Sequence, residues 1–350
     1  MFVLLLFAVF MFAVMLSFID EDSRESGYLK WTYVTVLLLL TLMVGLRPVG
    51  VDCDSKTYVG YYDSVDVGVV ELLEPSFSMI SGFARFFGTP QLIFIVYALL
   101  AIPLKGYALS KMSSCWFLSL SIWMNNYFIL HECTQIRTAV AAAIFLYALY
   151  DLANGRRKAY LGLVLVAVFF HYSALLLLPL VVLGTQPITT LWRIVLFVAP
   201  LFGYMLYIMG IDPLTLIPIP FFQDKMEFYE LSKERGLESN LNVFNLMAMF
   251  RLGVYYFVWW KCDEIYKEYK WIYLLLKILC ISICSYIIFA RFAALGTRSS
   301  ELYGVVDILI LPATIYAVRP EWVVRVVLAV VSIGLFAMNI MVNKLLLFEV

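Results

Sequence analysis

The sequence predicts an all-α polytopic membrane protein, and three observations carry that reading. Hydrophobic residues make up 63% of the chain, charged residues only 14%, and mean hydropathy is +0.91; a water-soluble globule carries about 25% charged residues. Apolar stretches of 16 to 21 residues recur along the whole length, matching the roughly 20 residues needed to cross a hydrocarbon core about 30 Å thick. A backbone in lipid must satisfy its own hydrogen bonds, so these stretches are expected to be helices.

About 11 or 12 spans are expected, near residues 2–19, 30–46, 90–109, 115–130, 134–151, 159–184, 190–209, 241–260, 271–290, 302–317 and 321–342. They leave almost nothing for a soluble domain, so residues 1–350 read as a single integral membrane domain. The first stretch lacks a basic n-region and a small-residue cleavage site, and Asp20, Glu21 and Asp22 follow it, so it reads as a retained helix. The formal net charge of zero argues against nucleic acid as a partner.

Arg156-Arg157-Lys158 is the densest basic cluster and by the positive-inside rule marks a cytoplasmic loop. Alternation then puts residues 20–30 and 105–114 inside, and the connections 47–90 and 131–137 outside. A second basic loop at Lys261, Lys267 and Lys270 fits only if 159–184 is two short pieces meeting near His171. The 12 residues before His171 reach only about 18 Å as helix, which sinks His171 in the outer half of the membrane. Residues 210–240 and 291–301 then face outward, while Arg319 and Arg325 face inward.

The outer connections hold the residues that could do chemistry. Arg47-Pro48-Val49-Gly50-Val51-Asp52 joins charges to turn residues directly after an apolar run. Arg137 stands near the start of a span, where a guanidinium costs roughly 2.5–3.5 kcal/mol if carried to the bilayer centre. Two readings are open for it: an interfacial anchor that snorkels or pairs with Glu132, or an anion ligand. Arg47, Arg291 and Arg298 add three guanidiniums in outward connections, and arginine's planar fork suits bidentate phosphate recognition.

His171 interrupts an apolar run, either as a hydrogen-bonded structural group or as a proton acceptor, whereas His131 reads as an incidental loop residue. Asp52 and Glu74, flanked by turn residues, are the carboxylates best placed to deprotonate a hydroxyl, or to pair with Arg47 or Arg85. Tyr58, Tyr61, Tyr62 and Tyr229 could stack on sugar rings or form an interfacial belt. Cys280 and Cys284 read as core; Cys53 and Cys133 both fall in outward connections, so a bridge is conceivable. No cluster of histidine, cysteine and carboxylate has convincing metal-ligand spacing, and phosphate-binding glycine loops, dinucleotide fingerprints and Gly-x-Ser-x-Gly are missing. The expected chemistry uses neither metal nor nucleotide.

Taken in order, Arg47-x-x-Gly50-x-Asp52 with Tyr58, Glu74-Pro75-x-Phe77, Gln135-Ile136-Arg137 with Ala139 and Phe145, and Phe170-His171-Tyr172-Ser173-Ala174 with Pro179 resemble the EpsG-like family of Wzy-type polysaccharide polymerases. The match is looser toward Arg298, Glu301, Tyr303 and Leu311-Pro312. The resemblance implies a GT-C-like membrane glycosyltransferase in the bacterial cytoplasmic (inner) membrane, building O-antigen, capsule or exopolysaccharide outside the cytoplasm. It would move the growing glycan from an undecaprenyl-diphosphate carrier to the nonreducing end of a lipid-linked repeat unit, without a cofactor. Its partners would be those lipid-linked units, membrane lipids, a chain-length regulator and a flippase.

On that resemblance Asp52, Glu74 or His171 takes the proton, Arg47, Arg137, Arg291 and Arg298 hold the diphosphate, and Tyr58, Gln135 and Tyr229 meet the glycan. The residues leave two other classes as alternatives. A lipid-linked oligosaccharide flippase or exporter would show internal repeats and midplane charges, and a membrane O-acyltransferase would use His171 but not the outer arginines.

Overall fold

The structure is a computed structural model, and it describes residues 1–20, 26–64, 74–211 and 240–348. Those residues are helical apart from connections and one isolated antiparallel bridge between Asp52 and Leu346. They form two compact units: Met1–Val182 with Asp307–Val350, and Leu183–Val306.

In the first unit the chain runs through α1 (Phe2–Leu16), α2 (Gly27–Gly45), α3 (Ser55–Asp63), α4 (Pro75–Phe86), α5 (Gln91–Met112) and α6 (Trp116–Asn125). A π-helical turn (Phe128–Thr134), α7 (Ile136–Ala153), α8 (Arg157–Phe170) and a 3-10 helix (Tyr172–Val182) follow. The second unit holds α9 (Thr190–Ile208), α10 (Leu246–Glu268), α11 (Ile272–Ile288) and α12 (Ala293–Gly304). The chain then returns to the first unit with α13 (Asp307–Ala313), a 3-10 turn (Thr314–Tyr316) and α14 (Glu321–Met341).

The sequence expectation is 11 or 12 spans. Among the described residues five helices are long and apolar enough to cross a membrane: α2, α5, α7, α9 and α14. Phe2–Leu16, Tyr172–Val182, Ile272–Ile288 and Asp307–Tyr316 are apolar but shorter. Hydropathy measures where a chain avoids water and says nothing about where its helix breaks. The 115–130 run breaks after Asn125, at Asn126 with φ −140° and ψ −71°, and then continues in the π-turn. The 302–317 run is divided between α12, α13 and a 3-10 turn, with Pro312 inside α13. The 241–260 run belongs to α10, a 23-residue helix whose second half carries Lys261, Asp263, Glu264 and Lys267.

The 159–184 run divides where the sequence placed the break. His171 closes α8 in an extended conformation, φ −155° and ψ 118°, and a 3-10 helix follows. The Tyr160 hydroxyl donates to the Leu177 carbonyl at 2.7 Å. Seventeen residues of straight helix would hold those groups about 25 Å apart, so the chain doubles back at His171.

Within the first unit, buried polar contacts tie helix ends together. Asp20 accepts from the Phe117 and Leu118 amides at the start of α6, at 2.7 and 3.3 Å, supplying partners that a helix N-terminus lacks. Arg325 donates to the Ser17 and Asp20 carbonyls beyond α1. At the far end of α2, the Gln91 amide donates to the Gly45 and Arg47 carbonyls at 2.6 and 3.2 Å. A Cβ on Gly45 would lie 3.1 Å from the Ile95 Cα, so its lack of a side chain lets α2 approach α5 closely.

Candidate functional site

Glu74 is the centre of the site, and Pro75 puts it there. The residue before a proline is driven out of the helical region, and Glu74 is extended at φ −62° and ψ 145° while Pro75 occupies the first turn of α4. Its carbonyl accepts from the Phe77 amide at 3.0 Å, starting the helix. Its side chain makes no capping bond and instead turns toward α7 and the end of α8.

There the carboxylate bridges two cationic or ionisable groups. Oε2 accepts from Arg137 Nη1, and Oε1 lies 2.7 Å from His171 Nδ1. Arg137 occupies the first turn of α7, directly after the π-turn ends at Gln135, and His171 sits on the chain reversal after α8. The trio therefore joins the starts of two helices to the end of a third. Ser76 and Tyr97 link α4 to α5 through their hydroxyls at 3.1 Å, and Tyr97 meets Phe170 edge-on at 6.3 Å. Arg137 lies at the opposite end of α7 from Arg156, so the trio is on the far side of the first unit from the basic cluster.

Exposure decides which of these groups a ligand can reach: the side chains of Arg137 and His171 keep 20% and 13% of their surface, and Glu74 keeps 5%. Burial acts to raise the Glu74 carboxyl, but the His171 hydrogen bond and the Arg137 charge outweigh it and hold it below the ordinary carboxylate range. An ionised carboxylate only accepts hydrogen bonds, so His171 presents an Nδ1–H to it, and in the neutral imidazole Nε2 then carries the lone pair. Arg137 lies over the rings of Tyr58 and Phe77 at 5.7 and 6.0 Å, and its Nε has no partner among the described residues.

Arg47 and Asp52 form a second, closed arrangement. Arg47 Nε donates to Asp52 Oδ2 at 2.9 Å, and Nη1 donates to the Val44 carbonyl at the end of α2 at 2.8 Å. Asp52 Oδ1 accepts from the Asp54 and Ser55 amides at 3.0 and 2.8 Å, opening α3. Both carboxylate oxygens are thus engaged, and the Arg47 side chain is buried under Phe94 with its guanidinium carbon 4.6 Å from the ring centroid. Its Nη2 has no partner among the described residues. Gly50 permits the turn with φ +95°, a region disfavoured for L side chains. The C-terminal segment closes it, the Leu347 amide donating to the Val51 carbonyl at 2.7 Å. Asp52-Cys53-Asp54 is an Asp-x-Asp sequence, and its Asp52 carboxylate serves this turn.

Of the other expected residues, Tyr58 is buried and packs against Phe77 and Phe94 at 5.8 and 6.4 Å; it supports Arg137 and is not open for stacking on a sugar. Gln135 is half-buried at the hinge between the π-turn and α7. Arg291 and Arg298 are exposed in the second unit, Arg291 donating to the Gly210 carbonyl at 2.8 Å. Tyr229 lies outside the described residues. Cys53 is exposed, Cys133 is buried, and both are free. Arg85 donates to the Tyr62 carbonyl and lies over its ring, so it pairs with neither Asp52 nor Glu74.

The structure places two residues differently from the sequence reading. Glu132 bonds to Lys105 of α5, and not to Arg137, with Trp123 Nε1 donating to its other oxygen at 3.0 Å. His131 is not in a loop but fully buried in the π-turn beside Tyr127. In the second unit, Arg251 of α10 donates to Ser300 and Ser282 at 3.1 and 2.9 Å. Single charges of this kind are averaged away by the hydropathy of their helices.

No curated protein and no solved structure matches the chain significantly. Residues 30–348, which contain every group of the site, match the EpsG family model, and on that near-complete match the chain belongs to the EpsG family.

Proposed function

We propose that this protein is a polysaccharide polymerase of the Wzy type, with the GT-C-like architecture the resemblance implies, acting on the extracytoplasmic side of the bacterial inner membrane. Its membership of the EpsG family supports an enzymatic role in polysaccharide synthesis. The observation that carries the finer reading is the Glu74 carboxylate held between Arg137 and His171, on the face away from the Arg156 cluster.

The reaction needs three things: proton removal from an acceptor hydroxyl, stabilisation of a departing diphosphate, and positioning of both sugars. In this reading His171 Nε2 takes the proton of the acceptor hydroxyl as that oxygen bonds to the donor's anomeric carbon. The bond from that carbon to the carrier diphosphate breaks, and the diphosphate leaves with the electron pair. Glu74 holds His171 in the tautomer that can accept and stabilises the imidazolium that forms, as a positioning residue. Arg137, with donors beyond the one given to Glu74, faces the charge that develops on the diphosphate. Arg47 and Asp52 hold the α2–α3 turn beside this trio. Undecaprenyl diphosphate is the carrier the resemblance implies; Gln135 at the hinge is a candidate contact for the glycan.

The test is full-length protein in detergent incubated with a lipid-diphosphate-linked repeat unit and no nucleotide, with products resolved as a ladder. The expected result is a ladder that falls roughly 10²- to 10⁴-fold in rate in His171→Gln, with the unfolding temperature little changed. A folded wild type that carries the lipid-linked unit across a vesicle membrane but makes no ladder would transfer the assignment to transport.

A further inference from the structure

We infer that the cavity between α2 and α5, at the end of the first unit that bears the basic cluster, binds an anionic phospholipid of the cytoplasmic leaflet. The cavity has a volume of about 710 Å³ and is lined by Lys30 and Lys111. Lys30 lies in the first turn of α2 and Lys111 in the last turn of α5. Because the two helices run antiparallel, these ammonium groups stand at the same end. Tyr150, in the last turn of α7, also lines the cavity and carries the Arg156 guanidinium over its ring at 5.3 Å. This is the end that the positive-inside rule assigns to the cytoplasm.

The lining has the chemistry of an amphiphile. Lys30 and Lys111 bring two ammonium groups to its mouth. Tyr107, over which Lys111 lies at 5.1 Å, and Trp116 give it the aromatic character of a headgroup-level site. Deeper along α2 the wall becomes Val34, Leu37 and Leu38. Val34 and Leu38 remain 38% and 56% exposed, leaving an apolar track beside the cations for an acyl chain. Basic pockets between membrane helices on the cytoplasmic side select anionic headgroups in this way. A water-soluble phosphate would use the lysines but gain nothing from the track. The inference does not rest on the polymerase reading.

The experiment uses the full chain in an uncharged detergent, with lipid adducts read by native mass spectrometry and unfolding followed thermally. Phosphatidylglycerol is expected to be retained and to raise the unfolding temperature more than phosphatidylcholine. The preference should fall roughly fivefold for each lysine removed in Lys30→Gln and Lys111→Gln, persist in Lys30→Arg/Lys111→Arg, and persist in Arg157→Gln/Lys158→Gln, which alters the adjacent loop only. Equal retention of the two lipids by the wild type, an equal thermal shift from inorganic phosphate, or a preference lost only with the loop variant would each overturn the proposal.

Discussion

Two buried glutamates in the same unit, Glu74 and Glu132, each bonded to a cationic side chain, have different surroundings. The Lys105–Glu132 pair is closed: both side chains have 0% exposure, and Trp123 satisfies the second carboxylate oxygen and lies under the ammonium at 5.2 Å. The Glu74 pair is held as firmly but left open, since Arg137 and His171 both reach the surface and the third partner is an imidazole that can change its protonation. A buried ion pair with both carboxylate oxygens engaged and no exposed surface has little left to offer a substrate. One that spends its carboxylate on orienting a partly exposed imidazole has more. The sequence presents both simply as a Glu near the edge of an apolar run, so only the neighbours separate structural charge from chemistry.

The same substitution at each glutamate breaks that comparison most directly. Glu74→Gln removes the group that fixes the His171 tautomer and should lower the polymerisation rate roughly 10²- to 10⁴-fold with the protein still folded. Glu132→Gln leaves Lys105 buried without its counter-charge and should destabilise the protein by about 3–5 kcal/mol, with activity per folded molecule retained. Lys105→Met/Glu132→Leu should recover most of that stability, because an apolar pair of similar volume replaces two desolvated charges. Chemical unfolding and ladder formation, measured on each variant, read the two effects separately. Loss of specific activity in Glu132→Gln with its stability unchanged would erase the distinction.

A smaller effect sharpens the contrast through pH. The Glu74 carboxyl is held below its ordinary range in the folded protein, against the opposing effect of burial, so its contribution to stability is fully present above the unfolded value of about 4.3. That contribution fades as pH falls through the lower folded value. The difference in unfolding temperature between wild type and Glu74→Gln should therefore not decline from neutral pH down to about pH 4.3 and should shrink only below it. A difference that already declines between pH 7 and 5 would contradict an ionised, doubly bonded Glu74.

Parts of this site were legible because local chemistry forces them. Pro75 dictates an extended Glu74, a polar residue amid Phe169-Phe170-His171-Tyr172 marks a break in an apolar helix, and the Arg156 cluster tells one face from the other. The rest depended on partners far along the chain. Glu132 sits close to Arg137 in sequence, yet the π-turn carries it to Lys105, 27 residues away, and sends Arg137 to Glu74, 63 residues away. Arg251 and Lys105 vanish in hydropathy averages because one charge among twenty apolar residues barely changes the mean. The docking of Leu346 and Leu347 on Val51 and Asp52 is a backbone contact, for which side-chain patterns carry no signal. Helix breaks are hidden for a related reason: hydropathy does not detect a helix that breaks without leaving the apolar environment.

The smallest predicted effect tests whether the Arg47–Asp52 turn is scaffold. Gly50 has φ +95°, and an alanine there carries the steric cost of a left-handed L residue, about 1–2 kcal/mol. Its Cβ would meet only the flexible end of Lys56, at 2.9 Å from Cε, so the cost comes from the backbone and not from a clash. If the turn simply anchors α3 beside Glu74, Arg137 and His171, Gly50→Ala should lower stability by that amount and leave both the KM for the lipid-linked unit and the rate per folded molecule nearly unchanged. If Arg47 instead contacts the diphosphate through its unengaged Nη2, shifting the turn should raise KM while stability falls by the same small step. Measuring KM and unfolding together on this one variant distinguishes a buried arginine that builds the site from one that binds within it.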